Sequence, residues 1–145
     1  MKLKDFVSYP GHGLGQVTEL KSMHGTEFYS IIIMDSGLKI LVPTTSQDLV
    51  RPLMDLKTAR LCNKYLKDPS EYMPDNKVRN MTKRWRLLLA KLKSNNPIHI
   101  AEVYAELCCK VLDGEELSFG ERKMRESALA LIEPEIGLVL NEKAV

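Results

Sequence analysis

The sequence predicts an α+β chain: a small antiparallel β-barrel or strongly bent sheet, followed by a compact all-α domain of about five helices. Three observations predict it. Turn signals recur every eight to twelve residues across the first fifty positions. The apolar spacing then lengthens to the helical period from Leu53 onward, and Ser118-Phe119-Gly120-Glu121 carries the signature of a helix amino end. With 145 residues, 44% of them apolar and 28% charged, the chain can bury one ordinary core or two small ones. A collagenous, disordered or large multidomain protein is excluded.

The strands come first. Phe6 to Tyr9 is a strand candidate ended by Pro10-Gly11-His12-Gly13, where one proline and two glycines favour a tight reversal. Gly15 to Leu20 alternates Val17 and Leu20 with polar neighbours, and the His24-Gly25 turn leads into Glu27 to Met34, rich in Phe, Tyr and Ile. Asp35-Ser36-Gly37 makes a hairpin loop into Leu38 to Val42. The character changes after Pro43, which divides the chain near residues 44 to 53 and places the domains at 1–50 and 51–145.

Leu53, Leu56, Arg60, Leu61 and Tyr65 suit a first helix closed by Asp68-Pro69, and the stretch from Asp68 to Asn76, with its two prolines, reads as a loop. Asn80 or Thr82 caps a second helix running through Leu92, ended by Ser94-Asn95-Asn96 and restarted at Pro97. The third helix carries Ile100, Val103, Tyr104, Leu107 and Val111 on one stripe and stops at Asp113-Gly114. Ser118 and Glu121 form a capping box for a fourth helix through Met124, Ala128, Leu131 and Ile132. Pro134 lacks an amide hydrogen, so that helix is expected to stop or kink near Glu133, with a short fifth helix restarting from Pro134.

The inventory for catalysis is thin. His12 sits in a Pro-Gly-His-Gly turn with no Ser or Cys nucleophile motif beside it, and Cys108 and Cys109 fall in the apolar-striped helix, where free cysteine is ordinarily a small hydrophobe. The histidines His12, His24 and His99 lack the spacing of a metal site, and Gly11, Gly13 and Gly15 lack the following helix that would bind a phosphate. The sequence therefore predicts no enzyme, no metal and no cofactor. Three cysteines without a C-x-x-C pair fit a reducing compartment. No apolar run reaches the roughly 18 residues of a membrane helix, and the start MKLKDF meets charge too often for a signal peptide, so a soluble protein of the cytosol is expected.

The net charge of +2 conceals an uneven distribution. Residues 77–99 carry Lys77, Arg79, Lys83, Arg84, Arg86, Lys91 and Lys93 with no acid, whereas residues 100–145 hold 5 basic and 10 acidic side chains. A block of one sign points to a polyanionic partner, and on a helix from near Met81 the cations Lys83, Arg84 and Arg86 surround Trp85 while Leu88, Leu89 and Leu92 face inward. Such a face suits phosphate contacts without base recognition. A plain solvated helix, paired with the acids of residues 102–142, is the competing reading, and a tryptophan such as Trp85 is more often a core anchor than a base-stacking group.

Three stretches together resemble one family. VSYPGHGLGQV, from Val7 to Val17, resembles the V-Y-P-x-H-G opening of the CarD/CdnL regulators of bacterial RNA polymerase, and Leu41 to Pro43 resembles the end of their polymerase-binding module. IAEVYAELCC, from Ile100, resembles their I/V-A-E-V-x-x-D-L segment, and LSFGERKM, Leu117 to Met124, is close to their most characteristic string. The opening alone also occurs in a transcription-repair coupling helicase; the later string makes the likeness specific.

The resemblance implies a Tudor-like or SH3-like domain docking on the polymerase β subunit through an exposed strand edge, at Met23, Lys39 and Leu41 in this chain. It also implies a helical domain that contacts promoter DNA at the upstream fork of the bubble and prolongs the open complex without sequence specificity. Aligning Asn80 with the family's N-W-x-R-R string puts Met81 at the tryptophan wedge, with Trp85 one turn further on. Lys83, Arg86 and Arg122 match contacts to the DNA backbone, while Met23 and Leu41 stand where some relatives have arginine. A polymerase-binding adaptor without a DNA role is the alternative. A monomer is expected, with a dimer swapped through the first strand left open.

Overall fold

Short β-prone runs broken by glycine turns fold into five strands: β1 (Phe6–Tyr9), β2 (Gly13–Met23), β3 (Thr26–Ile33), β4 (Lys39–Pro43) and β5 (Arg51–Pro52). Four helices follow: α1 (Leu56–Lys67), α2 (Met81–Lys93), α3 (Pro97–Leu112) and α4 (Phe119–Lys143). The computed structural model describes residues 2–72 and 81–143. The chain forms two compact units, Met1–Leu53 and Met54–Val145.

In the first unit all neighbouring strands are antiparallel, in the order β4-β3-β2-β1-β5. Met23 pairs with Thr26, so the β2–β3 hairpin turns on His24 and Gly25 alone, both at positive φ (52° and 79°). That is the geometry whose twist matches a right-handed hairpin, and it favours glycine at the second position. Beyond this turn the register runs Glu19↔Ser30 and then slips to Val17↔Ile31, which leaves Thr18 as a bulge whose hydroxyl donates to the Ser30 carbonyl at 3.3 Å. One face of the sheet buries Val7, Val17, Ile31, Ile33, Val42 and Val50, with Tyr9, Tyr29 and Ile40 at the margin.

The expected closed barrel is an open sheet instead. Closure needs a ladder between β4 and β5, but these strands lie at opposite edges, and a 3-10 turn over Thr44–Leu49 carries the chain between them. β5 has only two residues, one of them Pro52, too little to form a second ladder. It pairs with β1 through Val7↔Pro52 and Ser8↔Arg51. A strand this short gives no period to read from sequence.

In the second unit, Asp55 caps α1 by accepting from the Thr58 amide at 2.8 Å, so the helix starts after Leu53 rather than at it. Asp68 closes it, and Pro69–Glu71 forms a short 3-10 turn within the segment read as loop. Asn80, one candidate cap for α2, lies outside the described residues; Thr82, the other, lies inside the helix. Asn96 caps α3, accepting from the Ile98 and His99 amides at 3.0 and 3.4 Å, with Pro97 in the first turn. Helix α3 is central, packing against α1, α2 and α4. Its stripe Ile100, Val103 and Leu107 is buried, while Val111 at the far end is exposed.

Helix α4 does not break at Pro134, so the described residues hold four α-helices, not the five expected. Proline inside a helix costs about 3 kcal/mol through the lost hydrogen bond and ring clash. Against that, Ile132, Ile136 and Val139 lie buried on one side of the continuous helix, each worth about 1.5–3 kcal/mol. A break would forfeit the burial beyond the proline. Glu135, fully buried in the same stretch, accepts the Met54 amide at 2.7 Å and ties α4 to the segment that enters α1.

Candidate functional site

Two surfaces hold the residues singled out by sequence, one on each unit. In the first unit β4 is an edge strand, so its outward amides and carbonyls have no neighbouring strand. Lys39 and Leu41 alternate onto its exposed face, with Leu41 opposite Ser30 and Ser30 opposite Glu19. Lys21 bonds Glu19 at 3.4 Å and also meets Lys39. The Lys21 ammonium, through hydrogen bond and charge, holds Lys39 below the ordinary lysine pKa, while Lys21 itself is raised by Lys39 and Glu19. Lys39 thus stands beside a like charge, which the Glu19 carboxylate partly offsets. Ser30 is fully buried beneath this row, and its hydroxyl has no hydrogen-bond partner among the described residues. Met23, exposed, sits at the end of β2 beside the His24-Gly25 turn. His12 lies against the Tyr9 ring, centroids 5.6 Å apart, in the β1–β2 reversal.

In the second unit the cations of the basic helix α2 differ in their surroundings. Arg84 reaches Glu106 of α3 at 3.7 Å, and Lys91 reaches Glu102 at 3.4 Å and the Tyr72 hydroxyl at 3.3 Å. Burial works against the Lys91 charge, but the Tyr72 hydroxyl and the Glu102 carboxylate outweigh it and hold the group above its ordinary value. Burial raises the Tyr72 phenol. Lys83, Arg86 and Lys93 are exposed. Lys77 and Arg79 lie outside the described residues, as does the side chain of Met81, whose backbone opens α2. The sequence reading that paired this helix with acids of its own domain therefore holds for Arg84 and Lys91.

Trp85 is neither fully in the core nor free of it. It is 38% exposed, and the far edge of its indole lies 2.8 Å from where a Cβ on Gly120 would stand. Glycine at the first turn of α4 is thus a seat for the ring, with no positive φ to require it. Beside them Ser118 and Glu121 make the reciprocal capping box, Glu121 N–H donating to Ser118 Oγ at 3.2 Å and Ser118 N–H to Glu121 Oε1 at 3.0 Å. The other carboxylate oxygen accepts from Lys110 Nζ at 2.7 Å in a largely shielded pair. Burial alone would raise the Glu121 pKa, but the Lys110 ammonium and the Ser118 amide hold it below the usual carboxylate value. Arg84, Trp85, Leu88, Lys110 and Glu121 line a cleft of about 370 Å³. Arg122 is exposed and shares a shallow hollow with Arg125, Glu115 and Glu116.

Phe119 escaped the sequence reading. It stands 74% exposed at the start of α4, with Lys123 Nζ 5.5 Å from its ring centroid. A signal existed, because Phe119 precedes Met124 by five positions, about 140° round the helix from the buried stripe. Glu135 and the seat at Gly120 left none, since both depend on contacts between distant elements. Among the described residues no group of three or more His, Cys, Asp or Glu side chains is placed to hold a metal, and no helix is long and apolar enough to cross a membrane. Burial raises the Cys109 thiol, whose Sγ donates to the Pro69 carbonyl at 3.2 Å, which disfavours the thiolate.

Comparison with known families finds a match in each unit. Residues 63–144 match the CarD C-terminal domain, and residues 1–54 match the CarD-like/TRCF RID domain. The chain belongs to the CarD family. CarD-like proteins are non-enzymatic transcription regulators that interact with RNA polymerase, and the two matched domains fall on the two units of this chain. No curated protein shows a significant match to the chain. Within this CarD-like chain, the edge strand β4 belongs to the RID domain, and Trp85, Arg86 and Phe119 belong to the C-terminal domain.

Proposed function

We propose that the chain is a transcription regulator that grips the RNA polymerase β subunit through its first unit and prolongs the promoter open complex through the second. The domains divide near residue 50, and the protein works in the cytoplasm as a monomer without cofactor or catalysis. On the polymerase side the edge of β4, with Lys39 and Leu41, extends its sheet onto the β subunit, and Met23 at the β2–β3 hairpin adds a contact. On the DNA side Lys83, Arg86 and Arg122 contact phosphates at the upstream fork, while Trp85 and Met81 press on the opened bases.

The observation that carries this reading is on the basic helix: Arg86 stays exposed next to a half-exposed Trp85, whereas Arg84 and Lys91 are held by acids of α3. Arg84, anchored to Glu106, shapes the surface more than it contacts DNA. Two or three phosphate contacts give log K a salt slope of roughly −2 to −3, too weak for stable binding to free duplex at physiological ionic strength. Anchoring on polymerase supplies the effective concentration that the contacts need.

The test is open-complex lifetime with Lys83, Arg86 and Arg122 changed to alanine, singly and together. A shortened lifetime with unimpaired polymerase binding supports the proposal. The pairing of Arg84 and Lys91 with Glu106 and Glu102 favours a second reading, an adaptor that binds polymerase without touching DNA. An unchanged lifetime in the triple variant would select it. Tight, sequence-specific binding to free duplex would contradict both.

A further inference from the structure

Phe119 is the most exposed large hydrophobic side chain among the described residues, and nothing in the capping of α4 requires it. Its ring is not idle surface, because Lys123 Nζ stands 5.5 Å from the centroid, with a looser 3.8 Å contact to Glu126. The next residue is Gly120, against which the edge of Trp85 rests. Two exposed aromatic rings are therefore brought to the amino end of α4, one from α2 and one from α4 itself, with Arg86, Arg122 and Lys123 exposed on the same two helices.

We propose that Phe119 is a second stacking surface for unpaired nucleobases, with Lys123 serving the adjoining phosphate. The inference rests on the reading that this unit acts at opened promoter DNA, and adds to it a residue on a different helix from the basic block. Stacking on an aromatic face tolerates any base, as suits a regulator without sequence specificity. Each of the two rings has cations near it, whereas a protein-docking patch is depleted of charge at its centre.

The test uses the full-length chain on promoter complexes of bacterial RNA polymerase, with 2-aminopurine in the single-stranded upstream segment of the non-template strand. Phe119→Ala is expected to shorten open-complex lifetime about five-fold or more, the lower end for loss of one stacked base, and to relieve the quenching of the probe. Phe119→Tyr is expected to restore both, which a merely structural role for bulk would not predict for the quenching. Arg86→Ala and capture of the isolated β-subunit fragment run alongside. If Phe119→Ala behaves as the parent while Arg86→Ala shortens the lifetime, the stacking role is overturned and the wider reading stands. If neither variant changes the lifetime, both fall. If Phe119→Ala loses capture of the β fragment instead, the ring is a protein contact and the proposal is wrong.

Discussion

The indole of Trp85 lies against Gly120 so closely that a Cβ at position 120 would stand 2.8 Å from Cη2. This contact fixes the ring edge of α2 against the first turn of α4. Gly120→Ala gains up to about 1 kcal/mol of helix propensity, while overpacking costs about 1–3 kcal/mol where the neighbour cannot yield. Here the neighbour is the far end of a half-exposed side chain, which swings outward at lower cost. Global stability is thus expected to change by less than about 1 kcal/mol. Trp85 is the one tryptophan in the chain, so its emission reports the ring alone, and a red shift in Gly120→Ala is expected. An unshifted spectrum would show that the seat does not hold the ring.

Glu121 joins the cap of α4 to Lys110 of α3, and its charge carries a pH dependence. Its folded pKa lies below the ordinary carboxylate value of 4.5, so the unfolded chain binds the proton more readily. The stabilisation is complete above that ordinary value and is lost as pH falls through the lower folded one. Glu121→Gln keeps a capping side chain but removes the charge. Chemical denaturation is expected to show the variant about 1–3 kcal/mol less stable at neutral pH, with the gap narrowing as pH falls below 4.5 and through the lower folded value. A gap that does not narrow on acidification would mean the Lys110 pair contributes little.

Glu135 is a buried acceptor for the Met54 amide. Glu135→Ala leaves that amide without its partner and opens a cavity, for a loss of about 2–4 kcal/mol, whereas Glu135→Gln retains an acceptor and loses less. Thermal unfolding orders the two variants. Equal midpoints for Ala and Gln would remove the hydrogen bond as the reason for the residue.

Arg84 and Arg86 are two positions apart on α2, yet among the described residues only Arg84 of the two is tied to an acid, Glu106. Arg86→Ala is expected to lower the salt slope of open-complex stability by about one unit, and Arg84→Ala by clearly less. Lifetimes measured across a salt series decide this. Equal slopes for the two variants would show that the ion pair opens on DNA.

What was legible in the sequence was local. The capping box at Ser118 and Glu121, the His24-Gly25 hairpin and the proline-started α3 each rest on residues within four positions of one another, so spacing alone determines them. The Pro134 break was expected because proline's cost is local, while the burial of Ile136 and Val139 that overrides it is tertiary. Strand β5 exists only because β1 offers a partner at Val7 and Ser8. In the site, the cationic run was plain to read, but which cations are occupied depended on Glu102 and Glu106 arriving from α3. The Trp85–Gly120 contact joins residues thirty-five positions apart, which no periodicity encodes.

The central claim is that the strand-rich unit anchors the chain on polymerase so that weak DNA contacts suffice. Its most direct test is binding of the full-length chain to the isolated β-subunit fragment of bacterial RNA polymerase, by pull-down and titration, with Leu41→Glu on the β4 edge and Arg86→Ala on α2 as variants. A specific complex is expected, weakened at least about ten-fold by Leu41→Glu, the 1.4 kcal/mol that an unpaired charge in a docked edge readily costs, and unaffected by Arg86→Ala. Failure of the parent chain to bind the fragment would contradict the account.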